Sequence, residues 1–136
     1  MLNTLLIVAS LLIQAPAAQP PVSVPDTPAG RGLKEFVVSF NAGGAERRTW
    51  VTTRTTIDAE GANGILEQDA AILGEHGAMT IVRVLPAATA TSITAVLRHA
   101  TSGAHAHLLL EASADAPYKI TNLQLRPATP EEIGGK

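Results

Sequence analysis

Four histidines, His76, His99, His105 and His107, form the sharpest chemical pattern in this 136-residue chain. A three-residue turn at Thr101-Ser-Gly103 would set His99 opposite His105, with His107 two residues further along the same face. Three imidazoles on one side of a hairpin can ligate zinc or another borderline metal, which makes His99, His105 and His107 the metal candidates. Glu111 lies ~20 Å along the strand from His105, too far to complete such a site. The competing reading is the wet face of a half-exposed sheet, and a two-residue turn would move His99 to the other face.

Acid–base chemistry needs a carboxylate or histidine in an apolar pocket, where desolvation tunes its proton affinity. Asp69 interrupts an apolar pattern between Ile65 and Ile72, and Tyr118 can donate a hydrogen bond to a developing oxyanion. These two are the catalytic candidates, suited to a small lyase or isomerase. Their blander reading is a carboxylate at the solvent edge of a helix and a ring capping a sheet. Nucleophile motifs are absent: the chain has no Ser-x-x-Lys, no Gly-x-Ser-x-Gly, no phosphate loop and no His-Glu-x-x-His. Arg47-Arg48 reads as the solvated face of a short helix.

Composition narrows the field. Ten Lys+Arg against twelve Asp+Glu give a net charge of −2, without the basic footprint of a nucleic-acid binder. The absence of cysteine removes disulfides, thiolate zinc sites and cysteine nucleophiles. Aromatic residues make up 3% of the chain, too few for a stacking platform. No cofactor is implied.

The elements that must position these residues follow an export signal. Residues 5–13, LLIVASLLI, are too short to cross ~30 Å of hydrocarbon and match the apolar core of a secretory signal. Ala15-Pro-Ala-Ala18 then offers a cleavage site, so residues 1–18 are read as a signal peptide, destined for the periplasm or the extracellular space. Residues 19–32 are read as a proline-rich linker. Thr27-Pro28 is a good helix opening, although Gly30 and Gly32 weaken its first turn, which places firm helix from Leu33. Leu33, Phe36, Val37 and Phe40 form one apolar stripe, ended by Asn41-Ala-Gly-Gly44. A short helix over 46–53 follows, then a turn at Gly61-Ala-Asn-Gly64, then a helix ending at His76-Gly77. Beyond Ala78 the period changes from 3.6 to 2. Strands are predicted over 79–85, 90–99, 104–113 and 118–126, with a bulge near Ile120. Short connections make them an antiparallel meander. The fold class is α+β: two to three helices packed on a curved four-stranded sheet over residues 33–127, with 128–136 as a tail.

Phe36-Val-Val-Ser-Phe40-Asn41-Ala-Gly-Gly44 resembles the helix end of the nuclear-transport-factor-two-like (SnoaL-like) superfamily. The run from Gly77 to Leu85, then 104–110, then Pro117 to Pro127, is similar to the small domain that precedes β-lactamase-type serine hydrolases and tail-specific peptidases in bacterial secreted proteins. Gly44 departs from the acidic residue usual after that helix. The resemblance implies a cone-like fold with a helix-lined cavity, and it carries over no catalytic residue. A hydrolase domain would begin where the chain stops, so the sequence is either free-standing or part of a longer protein. The expected role is a secreted, non-catalytic accessory or binding domain. Its partner would be a small apolar ligand, a peptide or a protein, and self-association through the sheet would give a homodimer.

Overall fold

A computed structural model describes residues 22–134, so the predicted signal peptide and the first part of the linker lie outside the described residues. Three helices precede the sheet: α1 (Pro28–Ala42), α2 (Gly44–Arg54) and α3 (Ala59–His76). Four strands follow, β1 (Met79–Val84), β2 (Ser92–His99), β3 (His105–Ala112) and β4 (Ile120–Pro127), and a final turn of helix, α4 (Pro130–Gly134). The strands pair in chain order as an open antiparallel meander. The α+β expectation holds.

Helix α1 begins at Pro28, five residues before Leu33 and inside the segment read as linker. Thr27 Oγ1 accepts from Gly30 N at 3.0 Å, so the cap starts the helix despite its two glycines. Those glycines are sites of close approach. A Cβ on Gly30 would collide with the Pro25 carbonyl, and one on Gly32 would stand 2.7 Å from Ile120 Cδ1. At its other end, Asn41 pairs with β1 as a strand residue would: its Nδ2 donates to Met79 O (2.9 Å) and its Oδ1 accepts from Met79 N (2.7 Å). The helix end and the sheet edge are thereby fixed together.

The turn expected at residues 61–64 is helical. Asp58 Oδ1 accepts from Gly61 N at 2.7 Å, which starts α3 at Ala59 and carries Gly61 and Gly64 into its first turns. Good capping outweighs the local propensity of two glycines.

In the sheet, Ile93, Ala95, Leu97, Leu108, Leu110 and Ile120 face the helices and, with Leu33, Phe36, Phe40 and Val51, form the core. Ala112 pairs with Ile120 while Glu111 pairs with Asn122, leaving Thr121 extra. The bulge predicted near Ile120 is present. The residues read as a tail instead include α4, which reaches the other face of the sheet. Thr129 and Glu132 form a capping box, Thr129 N donating to Glu132 Oε1 (2.8 Å) and Thr129 Oγ1 accepting from Glu132 N (3.3 Å). Arg126 donates to both Glu132 oxygens (2.9 and 2.7 Å), and His107 Nε2 lies 3.2 Å from one of them.

Two outcomes are expected. Gly64→Ala and Gly74→Ala, whose Cβ atoms would meet open space, raise the free energy of urea unfolding by about 0.5–1 kcal/mol each, whereas Gly30→Ala lowers it by about 1–3 kcal/mol. The Arg126 guanidinium, above all, holds the Glu132 carboxyl down at about 2, against an ordinary 4.5. Its folded value is depressed, so its contribution is complete above pH 4.5 and lost as pH falls through 2. The stability difference between the parent chain and Glu132→Gln therefore narrows as pH falls from 4.5 toward 2, which urea unfolding at a series of pH values measures.

Candidate functional site

Three aromatic rings and one cation meet where the helices converge. Phe36 and Phe40, one turn apart on α1, stack with ring centres 6.2 Å apart, and Trp50 from α2 meets Phe36 edge-on at 5.8 Å. Arg47 lies one turn before Trp50 on α2, so the same face of that helix carries the guanidinium into the rings. Its Cζ stands 4.3 Å from the centre of Phe36 and 4.9 Å from that of Trp50.

Arg47 is 2% exposed, against the expectation of a solvated basic pair. Arg48 beside it is exposed. A helix turns about 100° per residue, so neighbours in sequence face different surroundings, and the apolar positions Trp50 and Val51 decide which arginine goes in. Burial lowers the proton affinity of Arg47, with Asp69 opposing that shift. Arg47 Nε donates to Asp69 Oδ2 at 2.7 Å. Nη1 donates to Ser39 Oγ (2.9 Å) and to Phe36 O (3.2 Å), while the Ser39 hydroxyl donates to Phe36 O (3.1 Å). Nη2 has no hydrogen-bond partner among the described residues.

Two cavities flank this ion pair, and Arg47 and Asp69 line both. The larger, about 660 Å³, lies between α3 and strands β3 and β4 and is walled by Phe36, Ile65, Ile72, Leu108, Leu123 and Leu125, with Gln68 as a polar point. The smaller, about 500 Å³, lies between α3 and the α1–α2 junction against Phe40, Leu66 and Leu73. Their cause is the seating of α3. Ala62 is its one fully buried residue, and Ile65, Leu66, Ile72 and Leu73 are only half-buried. The helix packs on α2 while standing off the sheet. Another groove, about 590 Å³, lies on the solvent side of α1 and α2 along Val38 and Thr49.

The sequence candidates separate. Asp69 faces the interior, as an acid–base group would have to, but its carboxylate is engaged by Arg47. Tyr118 sits in the β3–β4 connection at φ 56°, and none of these cavities is lined by it. The two do not share a pocket. Among the histidines, Arg98 rather than His99 lies opposite His105. His99 N donates to Ala104 O and Gly103 N to His99 O, so four residues connect the strands instead of three. That one-residue difference turns His99 to the helix side, buried, while His105 and His107 lie on the other face, where His107 meets Glu132. Among the described residues no group of three His, Asp or Glu side chains could hold a metal ion. No helix among them is long and apolar enough to cross a membrane.

No protein-family model, curated protein or solved structure matches this chain. Removing one member of the buried pair leaves the other charged and unpaired: Arg47→Ala or Asp69→Ala is expected to cost about 3–5 kcal/mol of unfolding free energy. The apolar double replacement Arg47→Met/Asp69→Leu costs clearly less than the two single losses together, which a double-mutant cycle in urea measures.

Proposed function

We propose that the chain is a non-catalytic binding domain for a small, largely apolar molecule carrying one polar end. The reading rests on the 660 Å³ cavity that the raised α3 leaves over β3 and β4. That volume falls in the range of small-molecule sites, about 300–1,000 Å³. Aliphatic and aromatic walls suit an apolar body. The polar points, Gln68 and the Arg47–Asp69 pair, cluster with them and favour a ligand group that hydrogen-bonds. Binding without turnover is favoured because Asp69 is already held by Arg47 and Tyr118 lies apart from it.

Kinship with the cone-like SnoaL-like superfamily, and with the accessory domains of secreted hydrolases, belongs to the same proposal. The order of three helices and a four-stranded meander supports it. Export to the periplasm or the outside is likewise proposed, on the apolar run at residues 5–13.

Titration of the folded chain with anilinonaphthalene sulfonate, an apolar body with an anionic end, is expected to give saturable binding at about micromolar to tens of micromolar concentration. Ile65→Trp, which fills the cavity, weakens it at least about tenfold while near-ultraviolet circular dichroism stays native. Absence of saturable binding, or equal binding by a natively folded Ile65→Trp, overturns the reading.

A further inference from the structure

We propose that the corner between the end of α3 and the end of β2 is a two-histidine site for a borderline divalent metal ion, formed by His76 and His99. The residues come from distant parts of the chain and from different elements. His76 closes α3, His99 closes β2, and their ring centres lie 5.1 Å apart with planes inclined by 39°. Two imidazoles bound to one zinc at about 2.0–2.1 Å, with a near-tetrahedral angle, hold their ring centres about 5 Å apart. The observed ring spacing leaves room for a shared ion.

Each ring is already oriented through its other nitrogen. His99 Nδ1 lies 3.3 Å from Gly77 O, which can only accept, so Nδ1 carries the proton and Nε2 keeps its lone pair. His76 Nδ1 lies 3.0 Å from Ser102 Oγ, which can accept its proton in the same way. A metal-binding histidine usually has this arrangement, its second nitrogen donating to a backbone carbonyl or polar side chain that fixes ring and tautomer. Neither Nε2 has a hydrogen-bond partner among the described residues. His99 is 5% exposed, yet no buried side-chain nitrogen or oxygen among the described residues is left without a partner. Its Nε2 therefore keeps some exposure, and His76, His99 and His105 all line a cavity of about 300 Å³ at this corner.

The charges nearby suit a cation. Glu75 Oε2 stands 3.9 Å from His76 Nε2 on a side chain that is largely exposed. Arg126 lines the same cavity, but its guanidinium is neutralised by Glu132. Two protein ligands leave the remaining positions to water, and imidazole donors suit zinc, copper(II) and nickel(II). The site differs from a hairpin of His99, His105 and His107, because the register turns the last two to the opposite face of the sheet.

Calorimetric titration of the tag-free chain with Zn²⁺ and with Cu²⁺ at neutral pH tests this. One ion per chain is expected. His76→Gln and His99→Gln each weaken binding at least about tenfold, while His107→Gln, outside that cavity, leaves it unchanged. His76 is the decisive position, since its half-exposed ring can be replaced without opening the core, whereas His99→Gln removes a buried ring. No saturable binding up to roughly millimolar ion, or equal binding by His76→Gln, overturns the proposal. So does loss of binding in His107→Gln.

Discussion

A guanidinium taken out of water must have its charge balanced and its donors occupied, and in this fold that requirement organises the helical layer. Arg47 comes from α2, its carboxylate from α3, its neutral acceptors Ser39 and the Phe36 carbonyl from α1, and its aromatic neighbours from α1 and α2. Burying either charge alone costs several kcal/mol, so the pair constrains how the three helices can sit. The same geometry keeps α3 from collapsing onto the sheet. Asp69 must reach Arg47, and the half-buried Ile65 and Ile72 on that helix are left lining a space instead of filling one. The buried ion pair and the cavities beside it share one origin.

The sheet is anchored to this layer at its margins. Asn41 locks the end of α1 to Met79, Arg54 donates to the Pro117 carbonyl, and Thr56 N donates to Ile120 O. Between these points the packing is aliphatic, with Leu97, Leu108 and Leu110 fully buried. With so few aromatic residues, Phe36, Phe40 and Trp50 are concentrated around Arg47, and the other end of the layer is left with smaller side chains. The opposite face of the sheet is met by α4, where Glu132 gathers Arg126 and His107.

Much of the architecture is legible in the residues. The apolar stripe from Leu33 to Phe40, the change of period after Ala78 and the short strand connections suffice for three helices and a meander. Even the bulge at Thr121 shows in the phase slip between Ile120 and Leu123. The misreadings share a cause, since each judged a residue by its local propensity when a distant partner decided. Gly30 and Gly32 looked like helix weakeners but are where backbone and strand come close. Thr129-Pro-Glu-Glu132 repeats the Thr-Pro opening of α1 and adds a capping glutamate, a signal sufficient to find α4. Arg47-Arg48 carried a weaker signal, because the apolar neighbours Trp50 and Val51 place the face of α2 that goes inward.

Patterns that repeat along one segment, such as helix stripes, strand alternation and caps, depend on contacts a few residues apart, and these the sequence alone determined. What only the tertiary structure decided are the meetings of groups far apart in the chain. Asp69 meets Arg47 across 22 residues, and His76 lies beside His99 while Tyr118 lines none of the cavities around Asp69. The physical reason is parity and phase: one residue more in a hairpin connection, or 100° around a helix, reverses the side on which a chemical group is presented. Propensity hardly registers such a step, but packing and charge burial fix it by several kcal/mol.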